Sequence, residues 1–201
     1  HEDQVIDEIL IVLIAGHETT ANALSWSLYL LANDKPELEK LTRATKNLSV
    51  TETVSNDALA SVIKESMRLY PPAWISDRVA LQDDAYNNFT FPKGSIIILF
   101  YYGLHRDAKH WDNPDAFMPE RFAKENEDKR KPKAYYPFGG GPRLCIGNNF
   151  AMAEMAIFLQ SMIEEFDIAP TDQQPKSNPL ITLRPDSIVL SIKKAPHTRD
   201  S

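Results

Sequence analysis

With 201 residues, 43% of them hydrophobic and 25% charged, the chain can build one sizeable core. A net charge of −6 excludes general binding to a nucleic-acid backbone, and a single cysteine, Cys145, excludes an internal disulfide and fits a reducing, cytoplasmic location. No secretory signal pattern opens the sequence, and the longest early apolar run, residues 9–15, falls well short of the ~20 residues a membrane span requires.

In chain order, residues 3–33 read as one long helix. Its stretch 9–15 is apolar in succession and leaves no polar face, so it needs packing partners all round, and the domain is expected to continue N-terminally. After Pro36 a shorter amphipathic helix is expected over 37–46. Ser55-Asn56-Asp57 supplies capping chemistry for a third, which Pro71-Pro72 ends. Between 76 and 102 the pattern changes to strands: Phe89 and Phe91 alternate, Pro92-Lys93-Gly94 turns, and 96–102 is a continuous apolar strand suited to burial. A proline-punctuated, mostly irregular stretch covers 105–137. The helix over 146–166 carries two apolar stripes, Ile146/Phe150/Ala153/Ile157 and Met152/Met155/Leu159/Met162/Phe166, which predicts contacts on two sides. Ile181, Leu183, Ile188, Leu190 and Ile192 read as a closing hairpin.

The segment Phe138-Gly139-Gly140-Gly141-Pro142-Arg143-Leu144-Cys145-Ile146-Gly147 holds the only cysteine and four of the seven glycines. Three glycines and a proline impose a tight turn, placing the sulfur beside Arg143 at a helix N-terminus, where amides and the helix dipole favour a thiolate. A thiolate is both a nucleophile and a soft metal ligand, and residue chemistry alone leaves the two open. A phosphate loop fits badly, since Gly-Lys-Ser/Thr does not follow the glycines. The whole spacing resembles the haem-ligand signature of the cytochrome P450 superfamily. That resemblance implies Cys145 as axial thiolate on the iron of haem b, Phe138 covering the sulfur, Arg143 pairing with a propionate and Gly147 allowing close approach of the porphyrin.

Two further motifs join it. Ala15-Gly16-His17-Glu18-Thr19-Thr20 sits inside the first helix, where glycine is disfavoured. A zinc-protease reading fails because Ala21 stands where a second histidine is needed. In the resembled family this stretch crosses the oxygen-binding face of the haem: Ala15 and Gly16 leave room for dioxygen, Glu18 and Thr19 relay protons, and His17 packs or hydrogen-bonds. Periodicity puts Glu65 and Arg68 opposite the inner stripe Leu59/Val62/Ile63/Ser66/Tyr70, that is, in solvent. Glu-x-x-Arg followed by Pro119-Glu120-Arg121-Phe122 is nevertheless the family's second signature, which implies a network of Glu65, Arg68 and Arg121 bracing the segment before Cys145. Arg78 matches a propionate-contacting position. Trp74, Ile75 and residues 181–183 match substrate-contacting ones, and His105-Arg106-Asp107 is familial without an assigned chemistry. The basic run Lys129, Arg130, Lys131, Lys133, with Glu125, Glu127 and Asp128 alongside, reads as a solvated charged meander; because the resembled family receives electrons on the cysteine side, the resemblance implies that it could also steer an acidic redox partner.

The expectation is therefore a mainly α fold with a small β portion, cytochrome P450-like, with residues 1–201 forming the C-terminal, haem-binding part. It would be a monooxygenase drawing on NAD(P)H through a ferredoxin, flavodoxin or flavoprotein reductase, and acting on a small, apolar organic substrate. Peroxygenase or isomerase chemistry, or a non-functional fragment, are the alternatives.

Overall fold

The computed structural model describes residues 2–129 and 134–195. Six α-helices and four two-stranded antiparallel sheets account for its regular structure among those residues. The first helix, α1 (Glu2–Asn33), runs as the sequence predicts, and α2 (Lys35–Thr45) starts on the Asp34 side chain, which accepts from the Glu37 amide, with Pro36 in its first turn. A short helix absent from the sequence reading, α3 (Val50–Val54), forms on a reciprocal capping box between Ser49 and Glu52. Asn56 caps α4 (Asp57–Leu69), which stops at Tyr70 just before the two prolines.

The β portion begins with β1 (Ile75–Val79), which pairs with β4 (Ile96–Phe100) around the small hairpin β2 (Asp84–Tyr86) and β3 (Phe89–Phe91). The expected strand over 96–102 is cut short, because Tyr101–Leu104 turns into a helix, α5, whose last turn carries the His105 amide onto the Tyr101 carbonyl. Nor is β4 buried: Ile96, Ile98 and Phe100 are exposed. Helix α6 (Asn148–Glu165) starts two residues later than expected and leads directly into β5 (Phe166–Pro170). The tail is not one hairpin: β6 (Ser177–Pro179) pairs with β7 (Leu183–Pro185), while β8 (Leu190–Lys194) returns to β5.

The core lies where the second half of α1 meets α4 and α6, with Ala23, Leu31, Leu59, Val62, Ile63, Met155 and Leu159 all buried. Of the two α6 stripes only the one with Met152, Met155, Leu159, Met162 and Phe166 packs there. Ile146 is 99% and Phe150 75% exposed, so the predicted second contact is missing. The same holds for α1, where the residues from Ile9 to Ala15 that called for packing partners are exposed, as is His17. No helix among the described residues is long and apolar enough to cross a membrane.

Opposite the core, α4 carries a buried ion pair. Glu65 and Arg68 are both 0% exposed, the reverse of what helical periodicity predicts, because an irregular segment lies over that face of α4. All five guanidinium N–H groups of Arg68 are used: two on the Glu65 carboxylate, both at 2.8 Å, and the rest on the carbonyls of His105, Pro114 and Ala116. Glu65 Oε1 also accepts from the Met118 amide at 2.9 Å and from Arg121 Nε at 3.3 Å. Arg68 lies 5.1 Å over the Trp111 ring.

His105, also fully buried, accepts the Tyr136 amide on Nε2 at 2.9 Å. Burial, then the positive charges of Arg68 and Arg106, push its pKa down to about 4. The ring is therefore neutral, and with Nε2 accepting, its one proton sits on Nδ1. The backbone carbonyls of Met67 and Arg68 offset part of that shift, but no hydrogen bond of ordinary geometry forms at Nδ1.

Two outcomes are expected. Arg68→Ala takes two hydrogen bonds and the nearest positive charge from Glu65 and the donors from three carbonyls, and should cost about 3–5 kcal/mol in urea unfolding, against less than ~1 for an exposed pair. His105 has a folded pKa of about 4, below the ordinary 6.5, so its unfolded form takes up a proton first as the pH falls. Its contribution is complete above pH ~6.5 and is lost towards pH ~4, on the order of 3 kcal/mol. Urea midpoints across that window should fall more steeply for the parent than for His105→Gln; parallel curves would contradict the assignment.

A cysteine turn and a polar break in the long helix

The chain between Tyr136 and Gly147 folds as a compact turn before α6. The Gly139 amide donates to the Tyr136 carbonyl at 3.2 Å, the Leu144 amide to Gly141 at 3.1 Å and the Cys145 amide to the Phe138 carbonyl at 3.0 Å. Gly139 at φ 72° and Gly141 at φ 67° occupy left-handed backbone that other residues resist. Gly141–Arg143 makes one 3₁₀ turn, and Gly147 is the N-cap of α6. Cys145 thus stands two residues ahead of the cap rather than within the helix start that the sequence implies. Its thiol is exposed, between the exposed side chains of Leu144 and Ile146. Phe138 is half-buried and packs against the main core, which anchors the start of the turn. A Cβ placed on Gly147 would lie 3.9 Å from the Cys145 sulfur, so the sulfur alone does not demand a glycine there.

A second polar feature interrupts α1. Ala15 and Gly16 are exposed, and a Cβ on Gly16 would meet nothing within 4 Å. Thr19 donates its hydroxyl back to the Ala15 carbonyl at 2.7 Å, and Glu18 Oε1 accepts from Thr182 Oγ1 at 2.7 Å. Thr182 in turn accepts from the amide of Asn22 at 3.1 Å. The acid and the alcohol that the sequence pairs are therefore engaged separately, one with the β6–β7 turn and the other with its own helix. Thr182 was not singled out as the partner of Glu18, nor Asn22 as the donor to Thr182. The available signal was a hydroxyl inside the apolar run at 181–183.

That turn is pinned from several sides. Trp74 Nε1 donates to the Leu180 carbonyl at 3.0 Å, and the Leu183 amide to Pro72 at 2.9 Å, leaving Ile181 95% exposed at the tip. The structure thus gathers Trp74, residues 180–183 and Glu18 in one place. Tyr101 links β1 to the cysteine turn, with its hydroxyl 2.8 Å from Ser76 Oγ and 4.0 Å from where a Gly139 Cβ would lie. Among the described residues no hydrogen bond joins Glu18 or Thr19 to the cysteine turn. Arg78 and Arg143 are exposed and neither forms an ion pair among the described residues; Arg78 donates to the Asp77 carbonyl at 2.6 Å. Arg121 reaches Glu65, as given above. The basic run ending at Lys133 lies outside the described residues, apart from the backbone of Lys129.

Comparison with known proteins puts these features in one context. The family model described as Cytochrome P450 matches residues 1–197. Cytochrome P450 3A6 of Oryctolagus cuniculus is 39% identical over 170 residues, covering 81% of this chain and 34% of that protein. Cytochrome P450 4F6 of Rattus norvegicus is 37% identical over 182 residues, covering 86% and 35%. The crystal structure of the cytochrome P450DA heme domain superposes with a TM-score of 0.85 at 29% identity, over 94% of this chain and 44% of that one, and a mutant of the same domain with 0.88. The chain spans about a third of the length of the curated relatives it matches. On its sequence match and its fold alike, the chain belongs to the cytochrome P450 family.

Proposed function

We propose that this chain forms the haem-binding portion of a monooxygenase that inserts one atom of dioxygen into a small apolar organic molecule. Electrons from NAD(P)H would arrive through a ferredoxin, a flavodoxin or a flavoprotein reductase. The observation that carries the reading is the exposed thiol of Cys145 on a glycine-shaped turn, in a chain of this family.

The residues fit an iron porphyrin held through that sulfur. A thiolate is the soft donor such iron takes, and the sulfur is open to approach, between the exposed apolar neighbours Leu144 and Ile146. Arg78 and Arg143 have guanidinium groups free of carboxylate partners among the described residues, which suits them to the two propionates. When bound, thiolate-ligated haem supplies the activation of dioxygen.

The rest is the work of this chain's own side chains. Cys145 would hold the group, and its backbone is fixed by the amide bond to the Phe138 carbonyl. Ala15 and Gly16 keep that part of α1 free of bulk. Thr19 has its proton committed to the Ala15 carbonyl, so its oxygen is left to accept, and it can hold a water that carries the next proton. Among the described residues Glu18 receives one hydrogen bond, from Thr182 on Oε1, which leaves Oε2 to take up and pass on protons from solvent. Trp74, Ile75 and Ile181, at the pinned turn, would contact the substrate.

Cys145→Ala should remove the red-shifted Soret band of the ferrous carbon monoxide complex; an unchanged band would overturn the ligand assignment. Thr19→Ala should retain haem but divert electrons to peroxide, roughly a 10²-fold effect on the proton-transfer step. The measurement is product formed per NAD(P)H consumed with a competent donor, and equal coupling in mutant and parent would rule out the proton-holding role.

A further inference from the structure

The family reading leaves His105 without a task, yet its surroundings are built around it. Its backbone carbonyl takes one of the five Arg68 hydrogen bonds, at 2.8 Å, while its side chain accepts the Tyr136 amide at 2.9 Å. Its own amide donates to Tyr101 at 2.8 Å, and the ring lies between Tyr101 and Tyr135, with centroids 6.5 Å and 5.3 Å away. The route continues towards the thiol without a gap: the Tyr136 carbonyl accepts from Gly139, and the Phe138 carbonyl accepts from Cys145. A fixed ion pair on α4 is thereby joined, bond by bond, to the backbone that carries the sulfur.

We propose that His105 is a positioning residue for Cys145: its Nε2 clamps the Tyr136 amide and so fixes the origin of the turn that presents the thiol. The inference rests on Cys145 being the axial ligand. A buried aromatic filler would occupy the space beside the two tyrosines equally well, but it would leave the amide of the half-buried Tyr136 without its acceptor. A backbone N–H can only donate, so the position requires an acceptor at the far end of the side chain. Glutamine meets that requirement through Oε1. Leucine does not, and asparagine is too short to reach. The chain is held on either side of Tyr136, by the Tyr135 hydroxyl on the Lys64 carbonyl and by Phe138 on the core, while the left-handed glycines beyond give the turn freedom to reorient once the Tyr136 amide is released.

The test compares His105→Leu, His105→Asn and His105→Gln in the full chain, by two readouts. The first, on the haem-free protein, is amide hydrogen exchange of the peptide containing Tyr136. The second, on the haem-loaded protein, is the half-life of the red-shifted Soret band of the ferrous carbon monoxide complex at a fixed mild temperature, followed beside far-ultraviolet circular dichroism. The expected result is faster exchange and a band half-life shortened about tenfold in the Leu and Asn variants while helix content holds, with glutamine restoring both towards the parent. Should the Leu variant fail to fold, the Asn and Gln pair decides alone. Equal half-lives in Asn, Gln and parent would overturn the inference, as would parallel loss of band and helix in every variant. A parent that shows no such band overturns the Cys145 assignment itself, a result distinct from a parent with the band and insensitive variants.

Discussion

A charge buried without a partner is among the costliest things a fold can contain, and Arg68 is fully buried. It is tolerable because every one of its donors is matched. The acceptors come from α4 itself and from three backbone carbonyls between positions 105 and 116. That condition works in both directions. The carbonyls satisfy the arginine, and the arginine fixes a stretch with no strand and little helix, which would otherwise have no reason to hold one course over α4. Glu65 extends the same constraint, since its carboxylate also takes the Met118 amide and Arg121. The irregular segment is thus organised from one point, and through His105 the order extends to the foot of the cysteine turn.

The elements differ in how well they could be read from sequence, and for physical reasons. Helix α4 and its neighbours were legible because capping side chains and prolines act over three or four residues, as at Pro36, Asn56 and Pro71. The solvent assignment from helical periodicity failed at Glu65 and Arg68 because it presumes that the face away from the core meets water. Here a distant, unpatterned segment covers that face. No local signal records such a cover; only the resemblance carried by the two charged motifs pointed to it. Likewise the apolar runs of β4 and of the first α6 stripe tell what must be shielded, not what shields it, and both are exposed.

The site shows the same division. The tight turn ahead of α6 was legible because a positive φ, as at Gly139 and Gly141, demands glycine. The partners of Glu18 were not, because Thr182 stands 164 positions away. A hydroxyl in a strand-like tail gives no indication of which acid it will meet.

That long-range bond has a consequence for proton handling. Glu18 and Thr19 are adjacent, but neighbouring residues on an α-helix point about 100° apart, and here each is held by a different structure. Thr19 is tied to the rigid frame of α1, so its oxygen stays where the helix puts it. Glu18 is tied to the β6–β7 turn, which Trp74 and Pro72 hold from the other side and whose tip, Ile181, is exposed. The acid is therefore held by the β6–β7 turn and the alcohol by its own helix, so that under the proposed function the turn carrying Ile181 is joined to Glu18 by the single hydroxyl of Thr182.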